Sequence, residues 1–139
     1  MPICFKRLHD KAFLPSRGSP CAAGLDLYTD VGFIMSPGVI CKIGTGVAAE
    51  LPPGSFGMIA TRSSVAIRGI TVFTTIVDSD YRGELFVTAK NDTPNPILIE
   101  RGERLAQLVV SPFVFEPPIE IMNLSSTERG TGGYGSTGR

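Results

Sequence analysis

The last eleven residues of the chain, RGTGGYGSTGR, combine five glycines with groups that bind phosphate and stack on a base. Arg129 provides a positive charge, Tyr134 an aromatic face, and Ser136 and Thr137 two hydroxyl groups. Because glycine leaves backbone N–H groups open, such a segment can wrap closely around an anion. The segment is therefore a candidate for binding an anionic ligand.

The glycine spacing of this segment also fits a G-x-G-x-x-G dinucleotide fingerprint, but its context does not. The fingerprint requires a preceding strand, a following helix and an acidic residue about 20 positions further on. Only four residues follow Gly135. Two interpretations stay open: a disordered tail, which is the commonest state of a glycine-rich terminus, and an arm that becomes ordered on a ligand.

A second cluster joins Arg62 to Ser63 and Ser64, where an alternating segment gives way to a stretch with room for one or two helical turns. Either serine could cap that helix. Alternatively, the guanidinium group and the helix N-terminus together form a compact anion site. Segment 101–108 is equally ambiguous, and Gln107 within it needs a polar partner if it is buried. Gln107 is therefore a candidate ligand contact.

Carboxylates that could do chemistry occur in two further places. Asp26 lies in the apolar pattern AAGLDLY, where it is either a solvated edge residue or a ligand for the water shell of a divalent cation. Asp78 and Asp80 precede Tyr81 between two strand-like runs, Ile70 to Val77 and Glu84 to Lys90, which predicts them at the tip of a β-hairpin. The chain has one histidine, His9, and we assign it no role.

Short alternating segments predict β-strands as the elements that position these residues. The chain has 16 Gly and 11 Pro residues, which separate these segments with turns. Apolar residues recur with a period of two at Leu25 and Leu27, at Val39, Cys41 and Ile43, at Phe56, Met58 and Ala60, and at Leu85, Val87 and Ala89. Strands at this spacing without helical crossovers predict an all-β antiparallel sandwich or barrel, with at most one short helix at 63–68. We expect one domain over residues 1–128 and a flexible arm over residues 129–139.

Composition restricts the partners and the setting. Thirteen Lys+Arg residues balance thirteen Asp+Glu residues, so no overall field attracts nucleic acid or an anionic membrane, and a local cluster must hold any bound anion. No apolar run approaches the roughly 20 residues of a membrane span. Cys4, Cys21 and Cys41 lack metal-ligand spacing, and no signal peptide precedes them, so we expect free thiols in a soluble intracellular protein.

Taken in order, five segments resemble the five motifs of the deoxyuridine triphosphate nucleotidohydrolases (dUTPases). They are AAGLDLY, ATRSSVA, TIVDSDYRGE, RGERLAQL and RGTGGYGSTG, which together span Ala22 to Gly138. The resemblance implies a jelly-roll-like β-barrel and a homotrimer whose active sites are shared between subunits. It also implies Mg²⁺-assisted hydrolysis of dUTP to dUMP and pyrophosphate, which keeps uracil out of DNA and supplies dUMP for thymidylate synthesis.

The resemblance implies a role for each matching residue. Asp78 is expected to activate the water that attacks the α-phosphorus, and Asp26 to reach the waters of Mg²⁺. Tyr81 is expected to pack on the deoxyribose and exclude the 2′-hydroxyl of UTP. The other expected substrate contacts are the uracil-reading residues Val72, Thr75, Ile76 and Val77, the phosphate-site residues Arg62, Ser63, Ser64 and Gln107, and the arm residues Arg129, Tyr134, Gly135, Ser136 and Thr137. The arm is expected to close over the nucleotide as a lid.

Three positions depart from the family pattern. Leu25 stands where many members have tyrosine. Ser64 replaces a glycine, and its Cβ is expected to crowd the phosphates. Thr75 replaces a glycine beside the uracil, where a β-branched residue adopts glycine's conformations only at a cost. Ser64 and Thr75 support an alternative, a catalytically dispensable interaction or regulatory module, whereas the retained Asp78, Tyr81 and arm favour an active enzyme. A related deoxycytidine triphosphate deaminase matches the arm and the hairpin less well.

Overall fold

The computed structural model describes residues 1–135, which form ten β-strands and one short helix. The elements are β1 (Cys4–Arg7), β2 (Gly24–Tyr28), β3 (Phe33–Met35), β4 (Ile40–Glu50), β5 (Ser55–Ala60), α1 (Ser63–Ala66), β6 (Ile70–Val72), β7 (Thr75–Asp78), β8 (Glu84–Asn91), β9 (Ile97–Ile99) and β10 (Arg104–Pro112). Every pair of these strands is antiparallel. The predicted all-β fold and its single short helix are confirmed.

Two four-stranded sheets enclose the core. One sheet has the order β1-β4-β8-β6 and the other β2-β10-β5-β7, while β3 and β9 form a small third sheet. Both large sheets contribute side chains to one buried apolar cluster, among them Leu27, Ile59 and Leu108 from one sheet and Ile43, Leu85 and Val87 from the other. Each such side chain stabilises the fold by roughly 1.5–3 kcal/mol through its removal from water.

Strand β5 places apolar residues on both of its faces. Its buried positions are Ser55, Gly57 and Ile59, so the alternating residues Phe56 and Met58 face outward and are only half-buried. Position 57 is buried and requires a glycine, because a Cβ there would come within 2.9 Å of a methyl group of Leu108. The outer face of this sheet consequently carries a row of apolar side chains. We call this row the outer apolar strip, and its members are Phe56, Met58, Ile76 and Val109.

The predicted strand over 70–77 divides between the two sheets. Strand β6 pairs with β8, whereas β7 pairs with β5. The buried positions shift from the even-numbered Ile70 and Val72 to the odd-numbered Val77, so one continuous strand cannot place all three side chains in the core. The hairpin prediction is therefore wrong in its pairing: the chain turns between β7 and β8, but these strands are not hydrogen-bonded to each other. A slot remains between them.

The last strand ends at Pro112, well before residue 129. The segment 113–128 contains no helix or strand, and its large apolar side chains are exposed. Phe115 is 71% exposed, Ile119 83% and Met122 97%. An apolar surface of this extent on an ordinary monomer marks an interaction site.

Within residues 1–135, no helix has the length and apolar character needed to cross a membrane. All three cysteines are free thiols.

Candidate active site

The slot between β7 and β8 is a cavity of about 320 Å³. It forms because the two strands belong to different sheets. Phe73, between β6 and β7, still donates its N–H to the Thr88 carbonyl of β8 at 2.9 Å, and beyond this bond the chain crosses to the other sheet. The lining residues come from β4, β5, β7, β8 and the turn between the last two: Lys42, Ile59, Thr75, Ile76, Val77, Asp78, Tyr81, Glu84, Leu85, Phe86 and Thr88. The slot therefore joins three of the four predicted base-reading residues, Thr75, Ile76 and Val77, to the predicted catalytic carboxylate, whereas Val72 is buried in β6 and does not line it.

Asp78 stands at the end of β7 and is exposed. Among residues 1–135, no side chain or backbone group forms a hydrogen bond or ion pair with its carboxylate. A carboxylate that holds no structural partner is available to a water molecule or a ligand.

Tyr81 is fixed across the turn that follows Asp78. Its hydroxyl donates a hydrogen bond to the Glu84 carbonyl oxygen at 2.9 Å. A Cβ on Gly83 would lie 2.4 Å from that hydroxyl oxygen, so the glycine leaves the space in which the ring lies. The ring thus forms a fixed apolar wall of the slot.

A second cavity, of about 360 Å³, lies at the other end of the β2-β10-β5-β7 sheet. We call it the phosphate cradle, after the role that the sequence analysis predicts for several of its residues. Its lining residues are Gly18, Ser19, Ala22, Gly24, Asp26, Arg62, Ser63, Ser64 and Gln107. Strands β2 and β10 and the turn between β5 and α1 supply it. The cradle thus contains the predicted residues of three separate sequence segments.

Two guanidinium groups surround the single carboxylate of the cradle. The Nε of Arg62 donates to Asp26 Oδ1 at 2.8 Å, and Nη1 of Arg104 lies 3.7 Å from Oδ2. The Asp26 side chain is only 11% exposed, so the ion pairs operate with reduced screening by water. Arg104 does not line the cavity, so the charges of Arg62 and Asp26 balance within it, and Arg104 beside Asp26 brings the net charge of the three groups to +1, which suits an anion.

The remaining polar groups of the cradle hold each other in place. Gln107 Nε2 donates to the Thr61 carbonyl at 2.9 Å. Arg62 Nη1 donates to Ser64 Oγ at 3.3 Å and to the Arg104 carbonyl at 3.1 Å. Arg62 itself is the N-cap residue of α1, and no side chain caps the helix. The interpretation of the serines as helix caps is therefore wrong.

The similarity to known proteins agrees with this arrangement. The model of the dUTPase family matches residues 10–138 of the chain. The chain is 42% identical over 142 residues to the deoxyuridine 5′-triphosphate nucleotidohydrolase of Nautilia profundicola, with 100% of both sequences covered. The chain belongs to the dUTPase family. Its fold matches a variant dUTPase of Staphylococcus bacteriophage 80alpha, solved with dUpNHpp, with a TM-score of 0.91, 27% identity and 99% of each chain covered.

A more distant structure concerns a metal ion. A variant dUTPase from phage phi11 of S. aureus, which coordinates a structural Mg(II) ion, shares the fold with a TM-score of 0.83 at 23% identity, over 91% of this chain and 100% of that one. In residues 1–135 of this dUTPase, no three His, Cys, Asp or Glu side chains come together as a metal site. Asp26 is bound to Arg62, and the expectation that it reaches the water shell of a Mg²⁺ ion stays a prediction.

Both departures from the glycine pattern of the family are accommodated. Thr75 lies in β7 opposite Ile59, and Tyr134 is the only non-glycine residue in the described chain with a positive φ. Thr75 thus has no need of a glycine conformation, and its hydroxyl donates to the Phe73 carbonyl at 3.4 Å. The hydroxyl of Ser64 accepts a hydrogen bond from the cradle arginine. The backbone at Thr75 is therefore unstrained, whereas the expected crowding of the phosphates by Ser64 and the expected effect of Thr75 on base selectivity stay predictions.

Sequence reasoning missed six residues that line the slot: Lys42, Ile59, Glu84, Leu85, Phe86 and Thr88. Lys42, Glu84 and Phe86 lie beside the turn, and Lys42 Nζ is 4.1 Å from the centroid of the Phe86 ring. They meet because Lys42 pairs with Thr88 and Gly44 with Phe86 across β4 and β8. No local signal marks these residues, because only the register between two distant strands brings them to the slot.

The arm of this dUTPase is described as far as Gly135. Arg129 Nε donates to the Gly132 carbonyl at 2.7 Å, and Tyr134 is exposed. No arm residue up to Gly135 lines either cavity of its own chain. Ser136 and Thr137 lie outside the described residues. The predicted contacts of the arm with a ligand stay predictions.

The slot and the cradle are separate in one chain and share no lining residue. Asp26 of β2 pairs with Gln107 of β10, which in turn pairs with Ala60 of β5. Asp78 of β7 pairs with Phe56, which is four residues before Ala60 on β5. The two aspartates are thus three strands and four residues apart, which at about 4.8 Å per strand and 3.3 Å per residue gives roughly 20 Å. Groups that contact one phosphate chain lie about 3 Å from it. Within one chain the two aspartates therefore lie in separate cavities, too far apart to contact the same phosphate group.

Proposed function

We propose that this dUTPase hydrolyses dUTP to dUMP and pyrophosphate by attack of water on the α-phosphorus. The observation that carries the proposal is the slot, in which unpaired strand edges, the fixed ring of Tyr81 and the unpartnered carboxylate of Asp78 line one cavity. The activity would keep uracil out of DNA and supply dUMP for thymidylate synthesis.

The free edges of the slot support recognition of the base. Strand β7 pairs only with β5, so the backbone groups of Thr75 and Ile76 on its other side are open toward the slot. Fixed backbone donors and acceptors distinguish uracil from cytosine, which presents an amino donor where uracil has an acceptor. Close approach of the backbone leaves no room for the methyl group of thymine. Uracil is therefore the base that fits.

The ring of Tyr81 supports recognition of the sugar. Its hydroxyl is hydrogen-bonded to the Glu84 carbonyl and its ring lies over Gly83, so a movement of the ring that admits a larger sugar costs this hydrogen bond. A deoxyribose packs on such a wall, whereas a ribose brings a 2′-hydroxyl into it. UTP is consequently excluded by shape.

The cradle supports binding of the phosphates. Arg62 and Arg104 supply the positive charge, and Gln107 and Ser63 supply uncharged donors. A triphosphate that carries Mg²⁺ satisfies this set, with Asp26 contacting the waters of the ion. The ion, when bound, withdraws charge from the phosphoryl oxygens and the leaving pyrophosphate.

Asp78 then acts as the general base. Its carboxylate accepts a proton from the attacking water and orients that water toward the α-phosphorus. Because no described residue competes for its oxygens, the carboxylate loses no protein hydrogen bond when it takes this role. Closure of the arm, 129–139, excludes other water from the site.

The separation of slot and cradle supports a homotrimer whose active sites are shared between subunits. A neighbouring chain would place its cradle against the slot of the first and supply Asp26, Arg62 and Gln107. The outer apolar strip lies on the sheet face that connects the two cavities, and the exposed apolar residues of 113–128 offer a second contact surface. Both surfaces lose water on association.

Substrate comparison tests the activity. The purified protein is incubated with dUTP, dCTP, dTTP and UTP in Mg²⁺, and pyrophosphate release is measured. We expect release from dUTP and at least a tenfold lower kcat/KM for each of the others. Equal turnover of all four nucleotides, or none of dUTP, would refute the proposal.

Mixing of variant chains tests the shared sites. Co-expressed Asp78→Asn and Arg62→Gln chains form mixed trimers in which about one quarter of the sites combine an intact slot with an intact cradle. We expect about that fraction of the parental rate, although each variant alone is inactive. Asp78→Asn mixed with Tyr81→Ala is the control, because both changes damage the slot and no recovery follows. Recovery in neither mixture would place each active site within one chain.

A further inference from the structure

Gly24 of β2 lies directly beneath the side chain of Gln107. A Cβ built on Gly24 would stand 2.1 Å from Gln107 Oε1 and 2.9 Å from both its Cβ and its Cδ. Gly24 is buried and does not have a positive φ, so the chain needs a glycine here for space and not for backbone conformation. The space is occupied by one side chain, that of Gln107.

The folded position of Gln107 gives the cradle its shape. Its Nε2 donates to the Thr61 carbonyl at 2.9 Å, one residue before Arg62. Arg62 in turn binds Asp26, which is opposite Gln107 on β2. These contacts close a ring: Gln107 on β10 binds the turn after β5, Arg62 of that turn binds Asp26 on β2, and Asp26 pairs with Gln107. Since a side-chain amide has two N–H groups, the second remains for a ligand.

We propose that Gly24 is a positioning residue for phosphate binding, because its missing side chain allows the Gln107 amide to lie in the cradle. The proposal rests on the function proposed above. Rotation of the glutamine removes the contacts with Oε1 and Cδ, but the contact between the two Cβ atoms persists in every rotamer. A side chain at position 24 therefore displaces the amide, because it occupies the place of Oε1 and Cδ. It also forces β2 and β10 apart, because the contact between the two Cβ atoms is not relieved by rotation.

Three variants test the proposal: Gly24→Ala, Gln107→Gly and the double variant that carries both. The double variant adds a Cβ at position 24 and removes the whole side chain at position 107, so it avoids the clash between the two strands without restoring the amide. Gly32→Ala is the control, since its new Cβ would meet only ordinary contacts, the nearest at 3.4 Å from the Arg101 backbone N. The measurements are the kcat and KM for dUTP, the Tm, and the binding of inorganic triphosphate in Mg²⁺ by calorimetry.

We expect Gly24→Ala to lower kcat/KM by roughly 10- to 100-fold, to weaken triphosphate binding and to lower the Tm. The double variant should melt at or above the Tm of Gln107→Gly and match its kcat/KM, because no amide is left to displace. The control should match the parent. Parental kcat/KM in Gly24→Ala, or losses in the double variant that equal the product of the two single losses, would overturn the proposal.

The same set separates this inference from the proposed function. If the parent does not hydrolyse dUTP, the proposed function fails. The thermal data then still test the contact between Gly24 and Gln107. A loss of Tm on Gly24→Ala that is equal in the parent and in Gln107→Gly would overturn the contact, and a loss that disappears in Gln107→Gly supports it.

Discussion

Replacement of Asp78 by Asn separates catalysis from stability in this dUTPase. The carboxylate is exposed and has no hydrogen-bond or ion-pair partner among the described residues, so its loss should change the free energy of unfolding by no more than about 0.5 kcal/mol. For a chain of this length that corresponds to a Tm shift of about 2 °C. A general base contributes roughly 10²- to 10⁴-fold to a rate, so kcat should fall by that factor.

The assay for Asp78→Asn is pyrophosphate release at saturating dUTP and Mg²⁺, together with thermal unfolding. The KM should stay within a few-fold of the parental value, because the backbone edges of the slot and the cradle are unchanged. Asp10→Asn is a matched control, since Asp10 is also exposed, and it should keep both kcat and Tm. A kcat above a tenth of the parental value would refute the role of Asp78 as base. A large loss of Tm would show that the carboxylate is structural.

Three further predictions concern the cradle, the sugar wall and the arm. Asp26→Asn should lower both the activity and the free energy of unfolding, the latter by about 1–3 kcal/mol. The reason is that Arg62 loses its charged partner at a site where the Asp26 side chain is only 11% exposed, and measurement of kcat and Tm together checks this. Tyr81→Ala should lower the ratio of kcat/KM for dUTP over UTP at least tenfold, and an unchanged ratio would contradict steric exclusion. Deletion of 129–139 should lower kcat/KM by roughly tenfold or more, with unchanged assembly by light scattering; parental kcat/KM in the truncated chain would show that the arm is not a lid.

The sequence by itself determined the types of residue and the local structure. Alternation and turn residues predicted the all-β fold, and the observed helix at Ser63–Ala66 lies where one was expected. The order of the five motifs identified the family, which the matched residues 10–138 confirm. These features are local or ordered along the chain, so they can be read without knowing which strands pair.

Only the tertiary structure decided which strands pair, and in which register. Alternation predicts which side chains share a face, but it does not specify the partner strand, because pairing depends on contacts between residues far apart in sequence. That choice divided 70–78 between two sheets and opened the slot. It also set Gln107 above Gly24 and placed Asp26 at the opposite end of a sheet from Asp78. Most of the candidate site residues were visible in the sequence, whereas their division between two separate cavities was a property of the fold.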